Sequence, residues 1–184
     1  MITDKLTPVS GTVSIEAYIK TRFMLELQNL WILTCIDESR FTVLRAQPFR
    51  ANEPKRKGIE QFWTVLHHAR TVLKLFDVEV NDLKQYANRP KLYLEVLYTK
   101  VEGIKEETIA AYLYKEKFML TDTSLHESST LRKGRVVDLL LWFSFPSLSF
   151  HKGFVYETLK TAGVDVGKAD ILRPLQPPII QVNI

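Results

Sequence analysis

A single cysteine, Cys35, stands in the 184 residues, so no intrachain disulfide can staple the fold. Its place inside an apolar run fits a reducing, intracellular compartment and a thiol used as a small core residue. Glycine is scarce as well: seven are scattered along the chain and never cluster. That excludes the GxGxxG dinucleotide loop and the GxxxxGK[ST] phosphate loop, and GxSxG elbows and SxxK pairs are equally missing. Long hydrophobic runs are absent too. The longest, Val136–Phe150, is broken by Asp138, Pro146 and three serines, so no segment is expected to span a bilayer. Met1–Pro8 contains Asp4 and Lys5 and lacks an apolar h-region, so no secretory signal is expected. The chain is read as soluble or peripheral.

Histidine is sparse, and its spacing excludes the common metal pattern. His67 and His68 are helix neighbours pointing about 100° apart, which cannot make an i, i+4 zinc pair. His126 and His151 fall without cysteine or carboxylate at ligand spacing. No metal, cofactor or catalytic residue is therefore assigned. Cys35, among Ile32, Leu33 and Ile36, has no adjacent base to activate it as a nucleophile. Asp77, Glu79 and Asp82 read as solvated carboxylates.

What the sequence does contain is patterning and positive charge. Val13–Leu27 alternates apolar and polar residues, the period of one long strand buried on one face. Leu30–Ile36 and Phe41–Ala46, joined by Asp37–Arg40, read as a hairpin. Pro48, Pro54 and Gly58 mark a loop. Ile59–Phe76 changes to helical spacing, with Phe62, Leu66, Ala69, Leu73 and Phe76 inward and Gln61 and His68 outward. Leu92–Tyr98 reads as a strand; 105–119 fits a helix and also permits an alternating strand. Thr121–Gly134 is polar and loop-like. Arg135–Phe145 reads as a central strand ended by Pro146, and Gly153–Ala162 as a short helix closed by Gly163 at C′. Trp31, Phe41, Trp63, Trp142 and Phe143 are assigned to the core.

These elements predict a single α+β domain over 13–172: a twisted, mainly antiparallel sheet with one long amphipathic helix and a shorter C-terminal helix. Residues 1–12 form a flexible N-terminal arm and 173–184 an extended Pro-containing tail. The net charge is +4 and the cations cluster. Arg50, Lys55, Arg56 and Lys57 sit in the Pro-containing loop, and Arg132, Lys133 and Arg135 in the later polar stretch. Both clusters are candidate contacts for an anionic partner, phosphates of lipid or RNA, at about 1 kcal/mol per well-placed cation on an anionic leaflet. Tyr18 lies among Glu16, Lys20 and Arg22 on the polar face of the first strand. An aromatic between cations on a sheet is how single-stranded nucleic acid is held. Tyr18, Lys20 and Arg22 thus support a second reading, an OB-like single-stranded nucleic-acid-binding module.

The long early alternating strand, the segment Phe62-Trp-Thr-Val-Leu-His-His after a basic Pro-containing loop, and Gly153–Val166 as a closing helix-turn-strand together resemble rhabdovirus matrix proteins of the small, plant-infecting type. That resemblance implies a non-enzymatic structural protein, a homo-oligomer that binds an anionic membrane surface and ribonucleoprotein. It implies the virion and the peripheral membrane as its location. The sequence departs from the pattern: Pro177-Pro178 is followed by Ile179, so there is no PPxY motif, and no long lysine-rich arm precedes the first element.

Overall fold

The computed structural model describes residues 13–35, 37–48, 57–122, 129–167 and 170, with the backbone alone at 83–84, 121–122 and 129–130. The arm and tail assigned from sequence, and Arg50, Lys55 and Arg56, lie outside the described residues. The chain is a helical bundle carrying one hairpin, not a twisted sheet. Its elements are α1 (Ile15–Cys35), α2 (Ser39–Ala46), α3 (Gly58–Leu75), α4 (Pro90–Glu102), α5 (Glu106–Leu113), β1 (Glu116–Asp122), β2 (Ser129–Arg135), α6 (Val136–Leu139) and α7 (Phe145–Thr161). A single 3₁₀ turn, Leu83–Tyr86, precedes α4. Helices α1, α4, α3 and α7 form a ring in which each packs on the next, with α2 against α3 and α7.

The expected long strand is helix α1. Ile15, Ile19, Phe23 and Leu27 recur every fourth residue, a spacing that satisfies period two and a helical stripe alike. Leu30 breaks the parity, and the buried set Ile19, Phe23, Leu27, Leu30, Leu33 follows the helix period. Ser14 starts the helix, its Oγ accepting the Ala17 N–H at 3.0 Å. Arg40 ends it by donating to the Ile32 and Leu33 carbonyls at 2.9 and 3.1 Å. The expected hairpin over 30–46 is therefore the last turns of α1 followed by α2.

The expected strand at Leu92–Tyr98 belongs to α4. Tyr93, Leu94, Leu97 and Val101 face the core, and Pro90 occupies the first turn, where its missing N–H has no consequence. Residues 105–119 divide between α5 and β1. The polar stretch expected as loop over 121–134 ends one strand and forms most of the other.

The apolar run after Arg135 is helical too. Helix α6, a π turn at Leu140–Ser144 and α7 follow without a break in helical backbone. Pro146 does not end the run; the widened turn lies just before it, where a proline disturbs the ladder. The Ser144 hydroxyl donates to the Leu139 carbonyl at 2.9 Å within that turn. Gly163, at φ 80°, closes α7 with the paired C-terminal bonds from Gly163 N–H to Lys160 and Val164 N–H to Leu159.

Helix α3 runs where helical spacing indicated it, with Phe62, Leu66, Ala69 and Leu73 fully buried. Gln61 and His68, assigned to its polar side, are buried as well. At its start, a Cβ on Gly58 would lie 2.6 Å from Thr158 Cγ2, so glycine permits the close approach of α3 to α7. Phe41 is buried, while Trp63 and Phe143 are partly buried against the core. Trp31 and Trp142, expected inside, are 37% and 81% exposed.

Candidate binding surface

Strands β1 and β2 pair antiparallel with Glu116 opposite Arg135, Phe118 opposite Lys133, and Leu120 opposite Leu131. Alternation along each strand gives the hairpin two faces. The inner face locks to the bundle at three points. Lys117 Nζ donates to Asp77 Oδ1 at 2.7 Å, the sulfur of buried Met119 lies 3.4 Å from Ser144 Oγ, and the Arg132 guanidinium lies 4.4 Å over the Phe143 ring. The outer face carries Phe118, Leu120 and Leu131, exposed at 62%, 50% and 61%. Three neighbouring large apolar side chains half or more in water form a patch, not the scattered singles of an ordinary surface.

Cations frame that patch. Lys133 pairs with Glu116 at 3.0 Å and its ammonium lies 5.9 Å over the Phe118 ring. Arg135 makes a bidentate pair with Asp138 at 2.6 and 3.1 Å, which holds its guanidinium pKa up. Both pairs are exposed, so each contributes little to stability and both can exchange partners. Lys115 and Tyr114 border the hairpin in solvent.

The remaining sequence-predicted contacts do not assemble into a site. Lys57 donates from Nζ to the Ala46 carbonyl at 3.0 Å, tying the start of α3 to the end of α2. Tyr18, Lys20 and Arg22 lie on helix α1, so no sheet exists there to stack bases. Tyr18 is exposed, Lys20 is half-buried, and Arg22 turns to Glu26 at 2.6 Å. Only Arg132, Lys133 and Arg135 stay together, with Arg132 on the opposite face from the other two. The apolar members of the surface were missed; their signal is the alternation Lys117-Phe118-Met119-Leu120 facing Leu131.

A second polar group lies inside the bundle. Glu26 of α1 is buried and receives Arg22 at 2.6 Å, the Ser149 hydroxyl at 2.7 Å and Lys152 at 2.5 Å. Burial pushes the Lys152 ammonium pKa down, and the Glu26 carboxylate opposes that shift. One residue away, His151 Nδ1 meets Gln61 Oε1 at 2.8 Å, and its ring stacks on His68 with centroids 5.4 Å apart. Burial, then the neighbouring His151 and His67, push His68 down to about 4. Among the described residues no group of three or more histidine, cysteine, aspartate or glutamate side chains is placed to hold a metal. No helix among them is long and apolar enough to cross a membrane.

No family model matches the chain, and no curated protein matches it. A solved structure does: that of a DinB family member protein from Shewanella denitrificans, with a TM-score of 0.63 over 88% of this chain and 96% of that one. The chain has a DinB-like fold. Sequence identity to that protein is 17%, so the likeness concerns the fold alone. It overturns the resemblance to rhabdovirus matrix proteins, because the DinB-like bundle has α1 where the long strand was expected and helix again at 92–98 and 136–145. The one hairpin among the described residues of this DinB-like bundle carries the exposed patch.

Proposed function

We propose that the protein is a non-enzymatic binding module that seats the outer face of its hairpin on an anionic lipid surface. The observation that carries this reading is the adjoining, exposed set Phe118, Leu120 and Leu131 framed by Lys133 and Arg135. Apolar side chains with cations at their margin suit the boundary between acyl chains and headgroups. Entry of three half-exposed side chains contributes roughly 1 kcal/mol each. Exchange of Glu116 and Asp138 for lipid phosphate adds less, because the cations already have partners.

The test is co-sedimentation with vesicles of phosphatidylcholine alone and of phosphatidylcholine with phosphatidylserine, alongside a single-stranded RNA. Binding to the anionic vesicles, reduced about tenfold or more by Phe118→Ala with Leu131→Ala, is expected. Unchanged binding in that variant, binding to RNA but to neither vesicle, or loss of a stable dimer in that variant would overturn the reading.

A further inference from the structure

Helices α1 and α4 run antiparallel, with Gln28 donating to the Tyr98 hydroxyl at 2.7 Å at one end of their seam and Cys35 near Lys91 at the other. Two clefts lie end to end along it. The first, about 650 Å³, has Trp31, Ile32 and Leu94 as apolar walls and the Gln28–Tyr98 pair at its far end. The second, about 670 Å³, is more polar: Arg45, Arg89 and Lys91 line it against Glu38 and Glu95, with buried Cys35 also in its lining. Glu95 lines both clefts, and the Lys91 ammonium, a wall of the second, lies 5.8 Å from the Trp31 ring of the first. Gln28 to Cys35 spans about 10 Å of helix. Each volume is of the size that takes a small molecule, and the apolar cleft has the expected few polar groups. The exposure of Trp31 is itself a departure from core packing, since the ring forms a wall of the cleft.

We propose that this seam binds a single-chain amphiphile with an anionic head, the apolar body beside Trp31 and the head among Arg45, Arg89 and Lys91. The three cations outnumber the two acids of the polar cleft, so a carboxylate or phosphate is favoured there and a cationic head is repelled. Lys91 stands at the junction, lining the second cleft with its ammonium near the Trp31 wall of the first. The site shares no residue with the hairpin, and the proposal is independent of lipid-surface binding.

Calorimetric titration below the aggregation concentration tests it, with decanoate, decyl phosphate, decanol, decyltrimethylammonium and inorganic phosphate as probes. Saturable one-to-one binding of an anionic amphiphile, about tenfold or more tighter than decanol or decyltrimethylammonium, is expected, with no heat from phosphate. Decanoate as the tighter of the two identifies a carboxylate head, and decyl phosphate as the tighter identifies a phosphate head. Arg45→Glu, on the surface, with Lys91→Glu, half-buried, should abolish the preference for anionic heads and leave decanol unchanged. Trp31→Ala should weaken every amphiphile, and Phe118→Ala with Leu131→Ala none. Absence of saturable binding, equal binding of the cationic amphiphile, or insensitivity to both site variants would overturn the proposal.

Discussion

At the scale of single residues, His68 shows what burial does to a group that composition alone places in solvent. Val65 lies three residues before it and Val72 four after, both buried, and a helix that buries the turns on each side of a position leaves little water for it. With the folded pKa held near 4 and the unfolded value near 6.5, the folded protein keeps His68 neutral where the unfolded chain takes up a proton. The stability that His68 contributes is therefore fully present above about pH 6.5. It is lost as pH falls toward 4, to a total on the order of 3 kcal/mol. Urea denaturation across that range should show the decline, and His68→Phe should flatten it. A slope identical in the variant would remove His68 as the cause.

At the scale of elements, α1 and α7 meet through a polar contact that helical packing alone does not need. Glu26 and Lys152 are both buried, so loss of Glu26 leaves Lys152 charged without its partner, whereas loss of Lys152 leaves Glu26 its pair with Arg22. Glu26→Gln should cost about 3–5 kcal/mol and Lys152→Met less, and adding Lys152→Met to Glu26→Leu should recover most of the loss. Chemical denaturation of the three variants measures it; single losses under about 1 kcal/mol would mean that the pair is hydrated. The same helix shows why its type was hard to read. A stripe repeating every fourth residue fits a strand and a helix equally until Leu30 decides, and it falls beyond the alternating stretch. Leu92–Tyr98 is too short for periodicity to separate the two, and Pro90 before it marks a helix start as readily as a turn. The run from Val136 is apolar on all sides, which again hides the period. Helix α3 was legible because Phe62, Leu66, Ala69 and Leu73 leave a polar face opposite, and Gly163 because a helix C-terminus favours glycine.

At the scale of the whole molecule, a four-helix ring buries the core, and the two-stranded projection it bears leaves Phe118, Leu120 and Leu131 in solvent. The binding surface was half legible for that reason. Arg132, Lys133 and Arg135 stand out as a run of charge, whereas Phe118, Leu120 and Leu131 become a patch only when two strands bring residues 13 apart in sequence (118 and 131) onto one face. The assignment of Arg132 to that patch could not survive strand alternation, which turns it inward onto Phe143. The most direct measurement is the environment of position 120. Leu120→Cys, labelled with a polarity-sensitive fluorophore while Cys35 stays protected by burial, should shift to the blue on anionic vesicles and be quenched by spin-labelled acyl chains. A label that stays in water while the protein remains bound to those vesicles would contradict the account.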